Sequence, residues 1–191
     1  MAVRSNGHGR HEFPNGDVYE GEWKDGNRHG RGKFVWLDGD FYEGEWKDDC
    51  RSGIGKMVWL DGNLYEGEFK ADNRHGRGKM VFHNGVTYDG DWQHDKRHGR
   101  GKRTTPNGEV YDGEWNHHQR NGIGIYTSPD GDVYEGEWKD NLKNGRGSMV
   151  YANSDTYEGK WRNDKKHGKG KYVWHNGMTY DGDWKDDKQH G

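Results

Sequence analysis

Acidic residues recur in pairs one residue apart, Glu20 with Glu22 and Glu43 with Glu45, and paired carboxyls are what general acid–base chemistry employs. An active site, however, is one asymmetric pocket with matched pKa values, and these pairs return along the whole chain. They read instead as an exposed charge ladder, with Lys33, Lys56, Lys79, Lys102 and Lys171 as cross-strand partners. Each such pair contributes only about 0.2–1 kcal/mol. No nucleophile–base constellation accompanies them, and Cys50 replaces no repeated residue of chemical interest. The sequence points to a non-catalytic protein.

Twelve histidines raise the question of zinc. His29, His75, His98 and His167 recur in the turn before a Gly-x-Gly, and His190 holds the same place before Gly191. Equivalent residues of neighbouring repeats would stand roughly 9.5 Å apart on paired strands, whereas zinc ligands lie about 2.0–2.3 Å from the metal. His117 and His118 are adjacent and would point apart on a strand. No metal or other cofactor is expected. Gly-x-Gly, as at Gly30 and Gly32, lacks the strand-to-helix context and the Lys-Ser/Thr ending of a phosphate loop, and reads as a backbone turn between repeats. Basic turn residues Arg28, Arg31, Arg74, Arg77, Arg97 and Arg100 would attract anionic lipid headgroups. Asp25, Asp48 and Asp72 nearby partly cancel that charge.

The elements that carry these residues follow from one period. Tyr19, Tyr42, Tyr65, Tyr88, Tyr111, Tyr134, Tyr157 and Tyr180 are spaced by 23 residues without insertion or deletion. Each is followed by an acid and a glycine, then two residues later by Trp, or by Phe69 in the third copy. In YEGEW, Tyr19, Gly21 and Trp23 fall on one face of a strand and Glu20 and Glu22 on the other. The glycine between two rings makes room for an aromatic side chain from a neighbouring strand. A second run, such as KFVW at 33–36, leads to Asp38-Gly39 or its equivalent, a dipeptide that favours tight hairpins. Each repeat therefore reads as strand, tight turn, strand, then a longer polar turn such as KDGNRHG at 24–30. A three-residue tight loop would place Phe34 and Trp36 beside Tyr42 and Trp46, with Lys33 opposite Glu45; a two-residue loop would reverse the face.

The fold class expected is all-β: an elongated, twisted, single-layer antiparallel sheet built as a solenoid-like array of about eight 23-residue β-hairpin repeats. It forms a single array over residues 1–191, with a partial leading repeat at 7–18. Roughly sixteen strands at about 4.8 Å spacing give a length of about 75 Å. Composition agrees with a thin structure: Leu, Ile, Val and Phe number 22, while 14% of residues are aromatic. The rings must supply the burial that aliphatics do not. Net charge of −3 gives no reason to expect nucleic-acid binding. The single cysteine excludes an intrachain disulfide, as suits a reducing cytoplasm. No apolar stretch reaches bilayer length, and no signal-peptide core follows Met1.

The run YEGEW followed by N-x-x-H-G-x-G, as at Tyr19–Trp23 with Asn27, His29, Gly30 and Gly32, resembles the MORN repeat (membrane occupation and recognition nexus), and the resemblance covers residues 7–191. It implies an elongated hairpin array and a role in tethering, dimerisation or membrane-proximal assembly, in the axoneme, the cell cortex or another cytoskeletal structure. Catalytic domains that accompany such arrays elsewhere have no counterpart here. Arg103, Thr104, Thr105 and Pro106 in the fifth repeat, and Lys160 in the seventh, depart from the pattern and are natural partner-specific surface.

Two partner classes follow. A protein helix or extended peptide would dock on a groove lined by Tyr88, Trp92, Tyr111, Trp115, Tyr134, Trp138, Tyr157 and Trp161. Alternatively, the basic turns would hold the chain on anionic phospholipid as a peripheral membrane module. An uncapped end at Gly191 would favour an edge-to-edge homodimer.

Overall fold

The computed structural model describes residues 6–190, which contain seventeen β-strands and no helix. They divide into two compact units, residues 6–96 and 97–190. The first carries β1 (Gly7–Glu12), β2 (Val18–Lys24), β3 (Asn27–Val35), β4 (Phe41–Lys47), β5 (Cys50–Val58), β6 (Leu64–Lys70), β7 (Asn73–Val81) and β8 (Thr87–Gln93). The second carries β9 (Lys96–Thr104, from Arg97 onward), β10 (Val110–Asn116), β11 (Gln119–Thr127), β12 (Val133–Lys139), β13 (Leu142–Val150), β14 (Thr156–Arg162), β15 (Lys165–Val173), β16 (Thr179–Lys185) and β17 (Lys188–Gln189). Within each unit every strand pairs antiparallel with its neighbours in sequence.

Two kinds of turn alternate, and the shorter is not the one the sequence suggested. Between β2 and β3 the chain reverses in two residues, Asp25 and Gly26, with φ of 49° and 81° and Lys24 facing Asn27. Positive φ at both positions gives the turn whose twist suits a hairpin. The stretch expected to be a long polar turn is thus a tight turn followed directly by strand. The Asp-Gly connection is longer: Leu37, Asp38 and Gly39 form its loop, with the Trp36 N–H donating to the Asp40 carbonyl at 2.9 Å. This three-residue loop sets Phe34 opposite Tyr42, on the face anticipated. Lys33, however, stands opposite Glu43, and it is Arg31 that faces Glu45. Paired residue numbers keep a constant sum across an antiparallel hairpin, and the anticipated Lys33–Glu45 pair is out of step with the sum that Phe34 and Tyr42 set.

Beyond the two-residue turn the ladder is irregular. Trp23 faces Arg28, yet Gly21 faces Gly32, so Glu22 alone stands opposite His29, Gly30 and Arg31. The bulge needs a left-handed residue, and Gly30 supplies it at φ 60°. The Glu22 carboxylate closes the gap by accepting the Arg31 backbone N–H at 2.8 Å. The first glycine of Gly-x-Gly therefore makes a bulge within a repeat rather than a turn between repeats.

The second glycine is a packing requirement. The Tyr19 ring lies across Gly32 on the next strand, where a Cβ would overlap the phenol. The Tyr19 hydroxyl then donates to the Glu22 carbonyl at 3.0 Å. Seven of the period tyrosines, Tyr19 to Tyr157, are essentially fully buried. This is the core.

Candidate functional site

On the aromatic face the rings alternate as one edge-to-face ladder within each unit. Tyr19 meets Trp23 at 4.9 Å and Trp46 at 5.5 Å, and Tyr42 in turn meets Trp46 at 5.1 Å and Phe69 at 5.0 Å. In the second unit Tyr111 lies between Trp115 and Trp138, Tyr134 between Trp138 and Trp161, and Tyr157 between Trp161 and Trp184. Edge-to-face contact sets the positive rim of one ring against the negative face of the next and adds about 0.5–1.5 kcal/mol per pair beyond burial. Each indole is also anchored to backbone: Trp46 donates to the Gly32 carbonyl at 3.0 Å, and Trp138 to that of Gly124 at 3.1 Å.

This placement corrects the expected groove. Tyr88, Trp92, Tyr111, Trp115, Tyr134, Trp138, Tyr157 and Trp161 are 0–5% exposed, so these rings form the interior instead of lining an open surface. With so few aliphatic residues, the ladder is what the chain has to bury. A partner would have to unpack the repeat to reach it. Burial pushes the Tyr19 phenol up to about 12, with Arg28 opposing the shift and Glu22 adding to it. The phenols of Tyr42, Tyr65, Tyr111 and Tyr134 are raised further by the same cause.

The basic residues singled out from sequence divide between the two faces. The Arg28 guanidinium lies over the Trp46 ring at 4.3 Å, its Nε bonds Asp49 at 3.0 Å, and a terminal nitrogen donates to the Asp49 carbonyl at 2.7 Å. Arg74 repeats this on Trp92 and Asp95, and Arg97 on Trp115 with His118. Each clamps the turn of one repeat to that of the next. Arg77 points to the opposite face and pairs with Asp89 and Asp91 at 3.7 and 3.3 Å. Arg31 and Arg100 hold the equivalent strand position. The six arginines therefore do not form the single basic stripe expected of a lipid-binding edge. Sequence reasoning missed the clamp, although its signal was there: Arg28, Arg51 and Arg74 each precede Asp49, Asp72 and Asp95 by 21 residues.

The acidic pairs occupy the other face, where Lys56 bridges to Glu66 at 3.0 Å. As Glu22 does, the second acid of four further pairs closes a bulge: Glu45 accepts the Ile54 N–H, Glu68 that of Arg77, Glu114 that of Ile123 and Glu137 that of Arg146. Those carboxylates are structural caps. The described histidines come together at most in pairs. His29 Nδ1 lies 3.5 Å from Asp48, and His75 and His98 stack edge-on with His94 and His117. Among the described residues no group of three His, Cys, Asp or Glu side chains is placed to hold a metal ion. No helix among them is long and apolar enough to cross a membrane.

What this face offers is a trough. In the first unit it encloses about 910 Å3, its floor the backbones of Gly21, Gly32, Gly44, Gly55 and Gly67, its sides Glu20, Lys33, Glu43, Lys56 and Glu66. Ile54 projects from it, 60% exposed. A similar trough of about 630 Å3 in the second unit runs over Gly136, Gly147, Gly159 and Gly170. At the glycine columns this face shows bare backbone, because the side-chain positions there point to the tyrosine side.

Against known proteins, the family model described as MORN repeat matches residues 4–18, 19–41, 42–64, 65–87, 88–110, 111–133, 134–156, 157–179 and 180–191. Comparison with curated proteins gave no match. Among solved structures the chain is similar to the TCP domain of SAS-4 (dCPAP) from Drosophila melanogaster in complex with a proline-rich motif of Ana2 (dSTIL). The TM-score there is 0.51 and the identity 13%, over 97% of each chain. The TCP10c domain of Drosophila melanogaster Sas-4 gives 0.46 and 12% identity over 93% of this chain and 99% of that one. The G-box domain of the microcephaly protein CPAP gives 0.46 and 15% identity over 92% and 97%.

Proposed function

The chain belongs to the MORN-repeat family, and from that premise we propose that it is a non-catalytic scaffold holding an extended segment of a partner protein along its charged, glycine-floored face. The trough carries this reading. It is the concave surface left over once the aromatic face is consumed by its own packing, and it runs across β2 to β6 in the first unit. Backbone left bare between the charged side chains lets another chain approach closely, while the flanking charges supply register. A protein of the same fold, the SAS-4 domain, is known in complex with a proline-rich motif, a segment that is extended by its chemistry. Its place in a cytoskeletal assembly is part of the same proposal. No observation favours lipid: three of the six arginines are clamped over rings, and Arg77 is paired.

Photocrosslinking tests the face directly. Benzoylphenylalanine at Ile54, in the trough, is expected to trap a protein partner in the native cell, and the same group at Trp36, on the aromatic side, is not. Adducts at Trp36 with none at Ile54 would overturn the assignment.

A further inference from the structure

In five repeats the backbone N–H just after the bulge glycine donates to a carboxylate from the facing strand, at 2.8–3.3 Å. The seventh repeat keeps the same backbone. Gly159 faces Gly170, Trp161 faces Lys166, and Gly168 has φ 66° where Gly30 has 60°. The residue at the carboxylate position, however, is Lys160. Its aliphatic stem lies over Gly168, with Cδ 3.3 Å from where a Cβ would sit. An ammonium has no acceptor to offer, so the pocket that elsewhere holds a carboxylate has lost it here and gained a cation.

The surroundings have changed with it. Lys160 stands directly opposite Arg146. Equivalent positions elsewhere pair Arg31 with Glu45, Arg77 with Asp91, and Ile54 and Ile123 with Glu68 and Glu137. Like charges directly opposite are destabilising. Neither Arg146 nor Lys160 has a carboxylate within ion-pair distance among the described residues, whereas Lys169 is neutralised by Asp183 at 2.8 Å. Both free cations line the trough of the second unit.

We propose that this position is a carboxylate-binding site for an Asp or Glu side chain of the partner segment, which supplies in trans the cap the other repeats carry in cis. The proposal rests on the reading of the charged face as the partner-binding face, and it fixes one point of register along it. The chemistry favours a single carboxylate: it fits the one N–H and two cations available. Glu135, Glu158 and Asp181 in the same trough would repel a more highly charged anion.

The test is amide NMR on the full 15N-labelled chain, titrated with a capped hexapeptide carrying one Glu among serines, against Lys160→Glu. That variant installs the residue found in sibling repeats and is expected to fold with an unchanged or higher thermal midpoint. A saturable shift of the Lys169 amide in the parent chain, weakened at least tenfold in Lys160→Glu, is the expected result. No shift at Lys169, or equal affinity in both proteins, overturns the proposal. Inorganic phosphate binding there as tightly as the peptide also overturns it, in favour of a phosphate site. Crosslinking at Ile54 without a Lys169 shift would leave the scaffold standing and remove only this site.

Discussion

The phenol of Tyr42 rests on Gly55 of the next strand so closely that a Cβ built on Gly55 would fall inside the ring's van der Waals envelope. Gly9, in the same column of the leading partial repeat, has no tyrosine above it. A Cβ there meets only Trp23 at an ordinary 3.6 Å. Gly55→Ala is therefore expected to lower stability by about 1–3 kcal/mol through overpacking, and Gly9→Ala to change it little. Denaturant midpoints of the two variants measure the contrast.

Trp138 donates its indole N–H to Gly124 while stacking edge-on with Tyr111 and Tyr134. Trp138→Phe keeps a ring, as Phe69 does naturally in the third repeat, but leaves that carbonyl without its donor. The expected cost is about 1–2 kcal/mol, against about 3–5 kcal/mol for Trp138→Ala. Chemical denaturation separates them.

Arg74 bonds Asp95 and lies over Trp92 at 4.5 Å. Arg74→Ala should lower the thermal midpoint through the lost stem packing and cation–π contact. The same change should leave co-sedimentation with anionic vesicles at physiological salt as it was. A selective loss of vesicle binding with an unchanged midpoint would point back to the lipid reading.

Burial raises the phenols of Tyr19, Tyr151 and Tyr157 to about 12. Below pH 10, the ordinary tyrosine value, folded and unfolded chains are both protonated and stability is fully present. Between pH 10 and 12 the unfolded chain loses phenolic protons that the folded chain keeps, so stability falls as pH rises. Phenolate absorbance should therefore appear together with loss of the β circular-dichroism signal, well above pH 10. Normal titration near pH 10 in a folded chain would be inconsistent with a buried ladder.

The strands, the face assignment and the tyrosine core were readable in the sequence because a 23-residue period without insertions fixes which side chains share a face. The glycine reading was half right. Room is indeed left for a ring, but the ring is that of Tyr19 lying over Gly32, in the second glycine column. The bulge opposite Glu22 and the Arg28–Asp49 clamp were not read. Both are hydrogen bonds between strands or turns, across 9 and 21 residues, and face alternation within one strand carries no information about them. The same omission put the expected groove on a face that is buried. Aromatic residues suggested a groove, whereas a chain this poor in aliphatics must spend its rings on its own interior.

Acrylamide quenching of a Trp36→Phe, Trp59→Phe, Trp174→Phe variant tests that allocation most directly, because only the seven ladder indoles then report. The account predicts blue-shifted emission with weak quenching that a bound partner segment leaves unchanged. Strong quenching in the free protein that a partner relieves would contradict it, and would return the binding surface to the aromatic face.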